Sequence, residues 1–258
     1  MRKEPRIIFF DLETLPNLEE ALKVWPQLSQ YPGKTLRASI TSIICAGWKE
    51  YGKKRVNCIN AWDYKNWDKD VNDDYEVCKA IREVLDGADA VVTHNGKRFD
   101  WKYLQTRLLY HGFDPLHRIN HVDTKALASS NLFVFNNKLG TIGQFLVGDN
   151  KLENGGWDLW VDVHKKKKSA MNLMARYCKQ DVALLEKVFE KLKPLIKNLP
   201  NYNNFNMVDQ MVCPNCGSGK FHGHGMKHTK TRSYRRYLCQ DCGTVFGSNA
   251  KGNIGVTI

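Results

Sequence analysis

No stretch of this 258-residue chain approaches the ~18–20 consecutive apolar residues that a membrane-spanning helix requires. The opening Met1-Arg2-Lys3-Glu4-Pro5 runs straight into a strand-like segment, without a secretory apolar region before it. These absences predict an intracellular protein, cytoplasmic or nucleoid-associated, neither secreted nor membrane-bound. Acidic residues are scarce in one part only. Residues 165–258 hold 5 Asp+Glu against 17 Lys+Arg, whereas residues 1–164 hold 22 of each. The whole formal charge of +12 therefore sits in the last third. A basic end on a neutral body predicts a polyanionic partner, most simply nucleic acid. The alternative is a surface that serves solubility alone. Internal repeats are absent.

What is present begins with Ile7-Ile8-Phe9-Phe10-Asp11-Leu12-Glu13-Thr14-Leu15-Pro16. The apolar run reads as a buried central strand, and its period of 2 puts Asp11 and Glu13 on one face. Two like charges at a strand end are either solvated or share a cation. Further strands are expected over Ser39–Trp48, Arg55–Trp62, Ala88–Thr93 and Arg118–Asp123. Helices are expected over 73–86, from Phe99 to Tyr110, over Thr124–Ser130 and Leu139–Val147, and from Ala170 to Ile196. Residues 17–38 read as a loop with a short helix, and residues 148–168 as irregular. This order fits a mixed α/β sheet with an antiparallel hairpin at one side.

Two more acids lie where such a fold places ligands. Asp100 opens a helix just after a buried strand, a junction that α/β folds use for binding. Asp181 lies on the long helix one turn after Tyr177, on the same face. An acid on an otherwise apolar face is costly unless it is paired or holds a metal.

Asp11-x-Glu13, Asn95-x-x-x-Phe99-Asp100 and Tyr177-x-x-x-Asp181, in that order, resemble the three motifs of the DEDD 3′–5′ exonucleases, DnaQ-like proteins of ribonuclease-H-like fold. The tyrosine four residues before the last aspartate resembles the DEDDy branch found with family B polymerases. The DEDDh branch would have histidine five residues before it, where this chain has Arg176. The resemblance covers residues 5–197 and implies a mixed five-stranded sheet flanked by helices. It implies a phosphodiester hydrolase using two Mg²⁺ or Mn²⁺ ions held by Asp11, Glu13, Asp100 and Asp181, with Asp11 between both ions and Tyr177 orienting the attacking water. Products would be nucleoside 5′-monophosphates, from DNA before RNA. By the same resemblance, Leu12, Thr14 and Leu15 would meet the terminal nucleotide, and Asn95 and Phe99 would line the groove. Phe99 also reads as plain core. Lys97, Arg98 and Trp101 are further candidate contacts, and Lys165–Lys168 is a solvated loop or a phosphate contact. Asp123 reads as a strand-end and helix-cap residue rather than a ligand.

Eight cysteines divide evenly. Cys45, Cys58, Cys78 and Cys178 are scattered and read as reduced core or surface residues. Cys213, Cys216, Cys239 and Cys242 form two C-x-x-C-G knuckles, which suit one structural, tetrahedral Zn²⁺. Arg232, Arg235 and Arg236 lie between the knuckles with Phe221, Tyr234 and Tyr237, a basic and aromatic mixture that suits nucleic acid. The module resembles the zinc ribbons of some transposases. The expected domains are an exonuclease domain over 1–197, a linker over 198–210 and a zinc ribbon over 211–258. Two alternatives keep the fold. One is a non-catalytic zinc-ribbon adaptor; the other is a proofreading subunit active only with replication or repair partners.

Overall fold

The structure is a computed structural model, and it describes residues 4–15, 42–116, 119–152, 156–197, 199–205, 211–231, 233–248 and 255–257. The expected loop over 17–38 and the candidate contact Arg232 lie outside the described residues. The expected mixed sheet is present. Its strands are β1 (Ile7–Leu15), β2 (Ser42–Glu50), β3 (Asn57–Asn60), β4 (Ala90–Thr93) and β5 (Asn120–Asp123), in the order β3-β2-β1-β4-β5. β2 runs antiparallel to β1 and β3, while β4 runs parallel to β1 and β5. The described helices are α1 (Lys65–Lys69), α2 (Tyr75–Leu85), α3 (Asp100–Tyr110), α4 (Thr124–Asn131), α5 (Leu139–Val147), α6 (Trp157–His164) and α7 (Lys168–Leu192). Among the described residues, no helix is long and apolar enough to cross a membrane.

β1 sits at the centre because both of its faces are apolar. Ile8, Phe10 and Leu12 pack with Val77 and Ile81 of α2 and Leu104 and Leu108 of α3. Ile7 and Phe9 pack with Ile142 of α5 and Val188 and Phe189 of α7. The alternation would send Leu15 to the Phe9 side. A register shift between Glu13 and Thr14 instead carries Leu15 into the cluster of Phe10 and Leu12. The bulge falls directly after the second carboxylate, and the strand runs on for two more residues to Leu15.

Two sequence expectations need correction. β3 is shorter than 55–62, because the chain turns at Asn60 into a 3₁₀ segment, Ala61–Asp63, with Asn60 Nδ2 donating to Asp63 Oδ2 at 2.9 Å. Residues 148–168 are not wholly irregular, since α6 lies within them and buries Leu159 and Val163. The flanking Gly155-Gly156 and lysine run obscured that short apolar period.

Beyond α7 lies a second sheet of four antiparallel strands, β6 (Phe221–His228), β7 (Ser233–Cys239), β8 (Val245–Ser248) and β9 (Gly255–Thr257). It is footed on the end of α7. Asn215, fully buried, donates from Nδ2 to Lys193 O at 2.8 Å and to Thr244 Oγ1 at 2.9 Å. Residues 199–205, part of the expected linker, pack on this module. Tyr202 N donates to Pro214 O at 3.0 Å, and the Asn203 side chain pairs with the Val212 backbone in both directions.

One glycine sets how closely α7 approaches the sheet. Gly47 of β2 pairs with Asp11 of β1. A Cβ there would stand 2.8 Å from the Cys178 carbonyl oxygen and 2.9 Å from Val182 Cγ2. A backbone oxygen has little room to move, so Gly47→Ala should force α7 outward at a cost of about 1–3 kcal/mol. Urea unfolding of the two proteins measures this. An unchanged midpoint would mean that α7 is not seated on Gly47.

Candidate active site

Three carboxylates meet under α7. Oxygens of Asp11, Glu13 and Asp181 all lie within 4.8 Å of one another. β1 supplies the first two from a single face, and α7, pressed against Gly47, supplies the third from above. Asp100 joins from the first turn of α3. It is buried, and its Oδ1 accepts from Leu12 N at 3.2 Å, which holds it beside the β1 pair.

The cluster is electrostatically loaded. Burial, followed by the charges of Asp100, Asp181 and Glu13, pushes Asp11 well above the ordinary carboxylate range. Burial and then Asp181 push Glu13 up to about 8. Burial raises Asp100 to about 7 against the hydrogen bonds that it accepts from backbone N–H groups. Asp181 is likewise raised by burial, with Lys151 opposing.

Lys151 is the residue that sequence reasoning missed. Its Nζ donates to Asp181 Oδ2 and, at 3.1 Å, to Tyr177 Oη. Burial works against the ammonium, yet Asp181, Tyr177 and Asp11 hold its pKa above the usual lysine value. It lies in the stretch read as irregular, and no motif spacing marks it. Tyr177 is raised by burial and by Asp181, so its hydroxyl stays protonated.

Other expected contacts divide by exposure. Phe99 is 44% exposed, with the Tyr103 ring tilted beside it at 5.7 Å, so it is not plain core. Lys97 and Arg98 are exposed, and Thr14 is half-buried. Leu12 and Leu15 both lie on β1. Both side chains are buried by strand alternation and by the bulge, leaving only their backbone for a substrate. Trp101 also turns inward, edge-on to His121 at 5.4 Å. Asn95 is held in the left-handed region at φ 74, and Asp123 builds that turn by accepting from Asn95 N at 2.9 Å and Lys97 N at 3.2 Å. The same carboxylate caps α4 through Lys125 N and Ala126 N, the cap role expected of it.

The residues fit hard divalent cations. Oxygen donors carrying excess negative charge are what Mg²⁺ and Mn²⁺ select. Asp181 Oδ1 is buried and has no hydrogen-bond partner among the described residues. An orphaned oxygen on a carboxylate of that cluster is a donor left open to a cation.

The four C-terminal cysteines also converge within 4.8 Å, with Cys213–Cys242 and Cys216–Cys239 sulfurs 3.7 Å apart. Sulfurs about 2.3 Å from one zinc stand roughly 3.7–3.8 Å apart, so the cluster is compatible with a small zinc-binding domain. Gly217 and Gly243 supply the left-handed turns, at φ 75 and φ 70. The long β6–β7 hairpin spans the interval between the knuckles. Arg235 is exposed, with its guanidinium 5.8 Å from the Tyr237 ring, whereas Arg236 is half-buried.

Comparison with known proteins adds a family. No curated protein matches the sequence. The family B DNA polymerase from the hyperthermophilic archaeon Pyrobaculum calidifontis matches in structure with a TM-score of 0.53 at 16% identity, over 78% of this chain and 27% of that chain. The likeness is one of fold, and this chain spans about a quarter of the polymerase's length. A family model described as the RNase H superfamily matches residues 39–193, from the second strand to the end of α7. By its sequence over that span and by its mixed five-stranded sheet flanked by helices, the chain belongs to the RNase H superfamily.

Proposed function

We propose that this protein is a metal-dependent 3′–5′ exonuclease of the DEDDy type, which hydrolyses nucleic acid, single-stranded DNA by preference, to nucleoside 5′-monophosphates. The observation that carries this reading is the convergence of Asp11, Glu13 and Asp181, with Asp100 bonded to Leu12 alongside and Tyr177 one turn from Asp181. Superfamily membership supports nuclease-type chemistry, and the fold likeness to a DNA polymerase agrees with a nucleic-acid substrate.

Asp11, Glu13, Asp100 and Asp181 would hold two Mg²⁺ or Mn²⁺ ions, which when bound neutralise charge at the phosphate and ease deprotonation of water. The remaining work belongs to the chain itself. Tyr177 keeps its proton at neutral pH, so it serves as a hydrogen-bonding orienter of water and not as a base. Lys151 fixes the Tyr177 hydroxyl and Asp181 together, and its ammonium stands ready for charge that grows on the phosphoryl oxygens. Phe99 offers an exposed ring on which any terminal base can stack, which suits a sequence-tolerant nuclease. Exposed Lys220, Lys230 and Arg235 on the C-terminal module would bind the backbone of the same strand. Zn²⁺ held by Cys213, Cys216, Cys239 and Cys242 would keep that module folded.

Three outcomes are expected. With 5′-labelled single-stranded DNA and Mg²⁺ or Mn²⁺, the protein should yield a ladder shortened from the 3′ end, and Asp11→Asn or Asp181→Asn should lower kcat by roughly 10²–10³-fold or more. A wild-type protein inert on DNA and RNA with either metal would refute the exonuclease reading. Lys151→Ala should lower kcat by roughly 10²-fold with little change in KM. A rise in KM alone would make Lys151 a binding residue instead. The third concerns pH. Glu13 and Asp100, raised to about 8 and about 7, bind more protons folded than unfolded. Their stabilising contribution is full below the unfolded carboxylate values, falls progressively as pH rises above them, and is spent once pH has passed about 8. Chelated protein should therefore lose melting temperature across that range, and Mn²⁺ should restore it. A flat profile would show that the carboxylates are not mutually loaded.

A further inference from the structure

Beside the carboxylate cluster lies a second convergence that the spacing along the chain conceals. Cys45 of β2, Cys58 of β3 and Cys178 of α7 bring their sulfurs within 4.8 Å of one another. We propose that these three thiols form a second soft-metal site, which takes a thiophilic divalent cation such as Zn²⁺ and is separate from the C-terminal cysteine quartet.

The donor geometry comes from the fold. Gly47 pairs with Asp11 on one side and with Cys58 on the other. A Cβ at Gly47 would lie 3.1 Å from Cys178 Sγ, so the close approach that seats Asp181 over Asp11 also lowers Cys178 onto the two sheet cysteines. Each of the three sulfurs stands within 4.8 Å of the other two. Beyond that, Cys178 Sγ meets Asp11 O and Cys58 Sγ meets Ile59 O, each at 3.8 Å. Three sulfurs around one zinc stand roughly 3.7–4.0 Å apart, so ligation needs side-chain shifts of less than about 1 Å.

Hardness keeps the two kinds of site apart. Thiolates select zinc and cadmium, and carboxylates select magnesium and manganese. Access comes from the edge of the sheet, because β3 is the terminal strand and Cys58 is only half-buried. Three protein ligands leave a fourth position for water from that edge. A bound ion would tie β2, β3 and α7 together directly beside Glu13, whose Cα pairs with Cys45. The site would thus brace the helix that carries Tyr177 and Asp181.

Cadmium titration of the full chain under a non-thiol reductant tests this, read by thiolate-to-metal charge-transfer absorbance. Wild type should saturate with about one equivalent more than Cys58→Ser, with the C-terminal quartet filling equally in both. Cys58→Ser alters a half-exposed edge residue, and circular dichroism checks its fold. Cys58→Ala should lose the same equivalent, and cadmium should raise the melting temperature of wild type more than that of either variant. Equal saturation of wild type and both variants would overturn the proposal. So would mass analysis of thiol-blocked protein showing Cys58 already consumed in a disulfide.

Discussion

Like-charge repulsion under α7 is the constraint to which the rest of this molecule answers. Asp11 and Glu13 share a face because a strand has period 2, and Asp181 is driven onto them by a helix seated on bare backbone at Gly47. Burial then denies the group the water that would make the charges tolerable, and their pKa values rise together. The fold sustains this because β1 packs on both faces, so the loss at its end is small beside the apolar area on either side. Lys151 relieves part of the repulsion at Asp181 and leaves one of its oxygens unbonded. Carboxylates gathered in this way form a donor set of the kind that divalent cations use.

The long helix joins the site to the C-terminal module. α7 carries Tyr177 and Asp181 near its middle, and the chain just beyond its end meets Asn215, which satisfies the Lys193 carbonyl. Lys193 in turn donates from Nζ to Tyr51 Oη at 2.5 Å and lies over the Tyr51 ring at 4.6 Å. Tyr51 and Phe189 both contact Phe9 of β1, with ring centroids 6.0 Å and 5.2 Å away. The cysteine module therefore stands on the same packed column of side chains that supports the carboxylate strand. A nucleic acid held by the module would be held in a defined relation to the site.

Residues that local pattern singles out, and that the fold then brings together, were legible in the sequence. Asp11 and Glu13 declare themselves by alternation after an apolar run, Asp181 by lying on an apolar helix face, and the cysteine quartet by its knuckle spacing. The mixed sheet could be read from strand order. What could not be read depends on tertiary approach. Gly47 looks like any strand glycine until α7 lies on it. Lys151 belongs to a segment without periodicity and acquires its partners only when that segment folds over α7. Cys45, Cys58 and Cys178 looked scattered because their meeting point is created by a strand pairing and a helix crossing. The burial of Leu15 beside Phe10 and Leu12 could not be read either, because a bulge invisible in the sequence decides which way Leu15 points.

The most direct test of the carboxylate site counts hard cations without relying on turnover. Calorimetric titration of the zinc-loaded full chain with Mn²⁺ at neutral pH, in two buffers of different ionisation enthalpy, gives both stoichiometry and protons released. About two ions per chain are expected, with proton release because Glu13 and Asp100 are raised to about 8 and about 7, and Asp11→Asn should abolish or greatly weaken the binding. Equal Mn²⁺ binding by wild type and Asp11→Asn, or binding without proton release, would contradict a metal site built on these four carboxylates.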